Sequence, residues 1–90
     1  MSAAQLAIAE LLYETSKPEL DIDKITRIFE RDLTLSYKLL RYVNSPVFRY
    51  KNEISSIKQA LIILGNVETK RFLSLIFAAK RKHLVDPLSL

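Results

Sequence analysis

The chain has 90 residues, 49% hydrophobic and 27% charged, with 14 Lys+Arg against 10 Asp+Glu and a net charge of +4. That balance describes one small globular domain, or part of a larger one, rather than a disordered chain; it is too mildly basic to signal a nucleic-acid binder on its own. No cysteine is present, which excludes disulfides and thiolate metal sites, and no apolar run approaches the ~18 residues of a membrane span.

One glycine and three prolines are too few for a sheet-rich domain, so the expected class is all-α: a compact bundle of about five short helices. The first covers roughly Ala3 to Thr15, with Leu6, Ala9 and Tyr13 on one face and Ile8, Leu11 and Leu12 beside them. Lys17-Pro18 ends it, because proline disfavours helix in the residue before it. Asp21 caps the second helix and Asp23 lies in its first turn. Ile22, Ile25, Ile28 and Phe29 form its apolar stripe, leaving Lys24, Arg27 and Arg31 to solvent.

Asp32 caps the third helix, Leu33 to Val43, whose buried face is Leu35, Leu39, Leu40 and Val43. Lys38 and Arg41 are expected in solvent, with Tyr37 and Tyr42 flanking the seam. Asn44 suits a left-handed helix end, and Ser45, standing before Pro46, is pushed out of helical space. Val47, Phe48 and Tyr50 are expected to pin the following connector to the core. Ser55 or Ser56 caps the fourth helix, which carries Ile57, Ala60, Leu61 and Leu64. Gly65 ends it with positive φ, and Asn66 caps the fifth helix at once. In that helix Phe72, Leu73, Leu75, Ile76, Phe77, Ala78 and Ala79 surround the axis on nearly every side. Too little chain follows to cover them, so Phe72, Leu73, Leu75, Ile76 and Phe77 form the candidate interaction surface, and a homodimer through this helix is expected.

No residues are arranged for catalysis, metal or cofactor binding. His83 is the single histidine, and a metal site needs several converging ligands. Asp21, Asp23 and Asp32 are each explained by helix starts. Tyr13, Tyr37, Tyr42 and Tyr50 fit core edges better than a base-stacking platform. Lys80-Arg81-Lys82, with Lys70 and Arg71 before it, reads as a solvated helix end. The competing reading is a small helix-turn-helix module at Ile25 to Val43, with Lys38 and Arg41 reaching a major groove. Against it, the turn lacks glycine and the exposed face is poor in Asn, Gln and Ser.

The order of I-x-x-I-F at Ile25–Phe29, D-x-x-L-S-x-K-L-L-R-x-V-N-S from Asp32, and I-S-S-I-K-Q-A-L-I-I-L-G ending at Gly65 resembles the N-terminal half of the HDOD domain. That family is a helical module of bacterial signalling proteins, related in fold to the HD-type phosphohydrolases but without their metal-binding residues. The detail is similar to the subclass in which an EAL domain precedes the HDOD domain. The common family form has proline after the aspartate; here Leu33 stands there, which the first helical position also accepts. The resemblance implies that residues 1–90 are a single HDOD-like domain or the N-terminal fragment of one. It implies a cytoplasmic, non-catalytic regulatory module in signal transduction, with a link to cyclic di-GMP and a protein partner or adjacent EAL domain. Asp32, Asn44, Ser45, Pro46 and Gly65 are expected to be structural.

Overall fold

The computed structural model describes residues 3–48 and 52–85, and the side chains of residues 5–48 and 52–78. Four helices form it: α1 (Ala3–Thr15), α2 (Ile22–Glu30), α3 (Leu33–Val43) and α4 (Ile57–Val85). The described residues contain no strand. Five helices were expected; the fourth and fifth run on as one element because the chain turns at a single residue without a loop. That residue is Gly65, at φ 72° and ψ −175°, which divides α4 into a proximal and a distal arm. This is not the left-handed helical well but extended backbone of reversed φ, a region essentially confined to glycine. A Cβ built there would meet nothing within 4 Å, so the requirement for glycine is purely one of backbone conformation.

The helix starts form as the sequence indicates. Asp21 Oδ1 accepts the Lys24 N–H at 3.1 Å, Asp32 Oδ1 accepts the Leu35 N–H at 3.1 Å, and Ser56 Oγ accepts the Gln59 N–H at 3.2 Å. Each satisfies a donor that the first turn cannot pair internally. Asn66 does not act this way: its Oδ1 is buried and has no hydrogen-bond partner.

α4 touches all three other helices, and α2 touches both α1 and α3. The fully buried centre takes Leu11 from α1, Ile25 and Phe29 from α2, Leu35, Leu39 and Val43 from α3, and Leu61 and Leu73 from the two arms of α4. The Phe29 and Phe72 rings meet at 6.2 Å. On α2, Ile25, Ile28 and Phe29 are buried as expected, Ile22 is half-buried, and Lys24, Arg27 and Arg31 are exposed. On α3, Leu40 is half-buried beside its three buried neighbours.

α1 presents a different face from the one expected. Ala7, Ile8, Leu11, Glu14 and Thr15 are inside, whereas Leu6, Ala9 and Tyr13 are exposed. Apolar residues occupy so much of this helix that periodicity alone could not fix its rotation; the polar Glu14 and Thr15 do so by going inward. Thr15 returns its hydroxyl to the Leu11 carbonyl at 2.9 Å. Glu14 accepts from Lys17 and Lys24, both at 3.2 Å, which ties the end of α1 to α2. Burial pushes the Glu14 carboxyl up, but the hydrogen bonds and charges of the two lysines outweigh it and leave it below the ordinary value. Arg31 reaches Glu10 at 2.7 Å and Lys58 reaches Asp23 at 3.0 Å, two further ties between helices.

Candidate interaction groove

The third helix ends in a clasp. Asn44 has φ −89° and ψ 4°, not the left-handed conformation expected of it. Its side chain makes that conformation unnecessary. Asn44 Nδ2 donates to the Leu40 carbonyl and to the Ile54 carbonyl, both at 2.8 Å, and Oδ1 accepts the Ile54 N–H at 2.7 Å. The amide thus pairs with Ile54 as a neighbouring strand would, and it closes the connector between α3 and α4 at its base. Both Nδ2 protons are consumed, so Asn44 is a structural wall with no donor left for a ligand. Ile54 is buried, a role that nothing in its local sequence announces.

Above this clasp lies an open groove of about 930 Å³ between the end of α3, the connector and the distal arm of α4. Leu40, Tyr42 and Ile54 line one part of it, Phe72, Leu75 and Ile76 the facing part. Asn44, Ser45, Pro46, Glu53 and Ser55 also line it. Lys38 and Arg41, one helical turn apart on α3, stand on the wall with Tyr37. Neither cation has an ion-pair partner among the described residues, although Lys17, Lys24, Arg31, Lys58 and Arg71 all do.

Tyr42 joins the groove to the core. Its ring meets Phe48 and Phe72, each at 5.2 Å, and its hydroxyl donates to Glu68 Oε2 at 3.2 Å. Glu68 Oε1 accepts from Arg71 at 3.2 Å. Burial first, and then the Glu68 hydrogen bond, push the Tyr42 phenol above its ordinary value, so it stays protonated and donating at neutral pH.

The structure therefore brings together residues that were singled out separately: Asn44, Ser45 and Pro46 with Phe72, Leu75 and Ile76. Asp32 and Gly65 lie outside the groove, at the start of α3 and at the corner of α4. Leu73 is fully buried and belongs to the core rather than to a surface. Phe77, 47% exposed, lies outside the groove, and Leu75 is 56% exposed on it. Val47 is 82% exposed and does not pin the connector; Phe48 does, through Tyr42. Tyr13 and Tyr37 are surface residues rather than core-edge ones, and the Lys17 ammonium sits 5.0 Å over the Tyr13 ring. Tyr50, Pro87 and the side chains of Ala79, Lys80, Arg81, Lys82 and His83 lie outside the described residues. Among those described, no three His, Cys, Asp or Glu side chains converge as a metal site would need, and no helix is long and apolar enough to cross a membrane.

The HDOD domain model matches residues 3–87. The chain belongs to the HDOD family. It is 43% identical over 67 residues to the uncharacterized protein YuxH of Bacillus subtilis, covering 74% of this chain and 16% of that protein. It is 38% identical over 79 residues to the cyclic di-GMP phosphodiesterase CdgJ of Vibrio cholerae, covering 88% of this chain and 18% of that protein. The chain thus spans less than a fifth of the length of either relative. No solved structure matches it.

Proposed function

We propose that this chain is a non-catalytic regulatory module, a cytoplasmic HDOD-like domain or the N-terminal part of one, that acts by binding a protein partner or an adjacent signalling domain. The observation that carries this reading is the distal arm of α4: Phe72 and Leu73 close the core, while Leu75 and Phe77 stand largely in solvent on the same helix. Exposed apolar side chains beside a shaped groove fit a docking surface better than a reaction centre. Among the described residues the groove holds Lys38, Arg41, Glu53, two tyrosines and two serines, but no histidine and no second carboxylate for acid–base chemistry. An EAL domain is a partner that suits the similarity to a cyclic di-GMP phosphodiesterase. The DNA-binding alternative is less well supported, because Lys38 and Arg41 share their concave surface with Leu75 and Ile76, and Asn44, which also lines it, has both amide protons committed to backbone carbonyls. Self-association through Leu75 and Phe77 is the second form this surface can take.

Two measurements test the reading. The purified chain, incubated with cyclic di-GMP and magnesium or manganese, should give no turnover. Leu75→Asp introduced in the producing cell should change the cellular cyclic di-GMP level without changing the amount of protein. Turnover by the chain, or an unchanged level with Leu75→Asp, overturns it.

A further inference from the structure

Taking the groove as a docking surface, which rests on the reading above, we infer that its occupant is an acidic amphipathic helix of a partner protein. Three observations select that chemistry. First, the facing apolar side chains, Leu40 and Ile54 against Leu75 and Ile76, can cover one stripe of a helix. Second, Lys38 and Arg41 stand on the wall one turn apart with no ion-pair partner among the described residues, and Glu53 is the one carboxylate on the lining. The wall therefore favours carboxylates along α3, and Glu53 can pair with one cation of the occupant. Third, the walls are side chains of helices and of the connector, and the described residues contain no strand, so they offer no sheet edge for an extended peptide to pair with.

The same charges argue against a second copy in this groove. A two-fold pairing with its axis at this wall would bring Lys38 and Arg41 of one chain against those of the other, and the chain as a whole carries +4. An acidic partner meets no such opposition, and its encounter is accelerated by the attraction.

The test uses two labelled peptides of about sixteen residues, both with leucines at i, i+3, i+4 and i+7, one filled with glutamate and the other with lysine. Fluorescence anisotropy against the 90-residue chain should show the acidic peptide binding about tenfold or more tightly than the basic one. The preference should shrink as salt rises from about 50 to about 500 mM. Lys38→Glu with Arg41→Glu should reverse the order of the two peptides. Leu75→Asp, at an exposed position, should abolish binding of both while leaving the circular dichroism melt unchanged. Equal binding of the two peptides, or none up to about 1 mM, overturns the inference. So does binding of pyrophosphate or cyclic di-GMP, lost in the charge-reversed variant, with no peptide binding: the cations would then serve a small anion. Any of these can occur with the Leu75→Asp effect on cellular cyclic di-GMP intact, which would sink the acidic helix but not the regulatory role. Turnover by the chain would sink the role itself.

Discussion

The two arms of α4 have similar apolar content and opposite fates. On the proximal arm Ile57, Ala60, Leu61 and Leu64 are buried and Lys58 and Gln59 face water. On the distal arm Phe72 and Leu73 are buried, while Leu75 and Phe77 of the next turn are not. The first arm is amphipathic and its stripe is covered, although Ile62 beside that stripe is 62% exposed. The second offers more apolar surface than α1, α2 and α3 can cover. Burial is thus decided by what stands opposite a side chain, and apolarity beyond that supply becomes a surface for something else. The comparison is sharpest at two leucines two residues apart. Leu73→Ala should cost about 2–5 kcal/mol, as expected for a fully buried leucine that leaves a cavity. Leu75→Ala should stay within about 0.5 kcal/mol. Equal costs in urea unfolding would mean that the distal arm is covered all round after all.

The proximal arm is also anchored at its root, and the distal arm is not. Asn44 holds Ile54, three residues before α4, through two hydrogen bonds, and a third returns to Leu40. Asn44→Ala would leave the N–H and C=O of a buried residue unpaired, a loss of about 2–3 kcal/mol. Asn44→Asp separates the clasp from a mere helix end. A carboxylate cannot donate to the Leu40 and Ile54 carbonyls and would face them as an anion, so this variant should be at least as unstable as the alanine at pH 7 and recover in part when acid restores one proton. A harmless Asn44→Asp in thermal melts would show that the clasp contributes little.

The reach of the sequence follows the same division. The caps at Asp21, Asp32 and Ser56, the ends of α2 and α3, and the stripes of α2 and the proximal arm were legible, because each depends on residues within one or two turns; the cap expected of Asn66 did not form. The rotation of α1 was not, since Leu6, Ala7, Ile8, Ala9, Leu11 and Leu12 leave too few polar markers to set a phase. The inward turn of Glu14 depends on Lys24, an element away, and no local signal reports it. Asn44 was marked as structural, but through a left-handed turn; the true reason is a backbone ten residues later, which periodicity cannot see. Half of the groove was read from the apolar excess of the distal arm. Its other half, with Lys38 and Arg41 as walls, came only from the fold that faces α3 toward α4.

Gly65 is the joint between the arms. At φ 72° and ψ −175° with no atom within 4 Å of a would-be Cβ, Gly65→Ala should cost about 1–3 kcal/mol through backbone strain alone. The choice of substitute discriminates the conformation. Asparagine eases a left-handed helical C-cap, but it has no such advantage in this region, so Gly65→Asn should be no better than alanine. Rescue by asparagine in chemical unfolding would place the joint in the ordinary left-handed well. Weakened peptide binding by Gly65→Ala at a temperature where the fold persists would show that the corner also sets the groove.

Glu14 tests the comparison from outside both arms, and its effect should be the smallest of the four. Its carboxylate is held by Lys17 and Lys24, and despite the opposing effect of burial its pKa in the folded chain is below the ordinary value. The sign follows: a depressed folded pKa contributes stability that is fully present above the unfolded value, about 4.3 for glutamate, and is lost as pH falls through the folded one. Asp23 is shifted in the same direction, chiefly by its hydrogen bond to Lys58. That pair is more than half exposed on both sides, so screening by water leaves Glu14 the larger contributor. Thermal melts from neutral pH to about pH 3 should therefore show a fall in stability that begins as the pH enters the ordinary glutamate range and continues below it, and Glu14→Gln should both lower the neutral-pH melt and flatten the slope. Because Lys17 and Lys24 belong to the α1–α2 side, neither effect should alter peptide binding at the distal arm while the chain is folded. A slope unchanged by Glu14→Gln would assign the acid sensitivity to other carboxylates, and a loss of peptide binding at neutral pH would mean that the α1–α2 side and the groove are not independent.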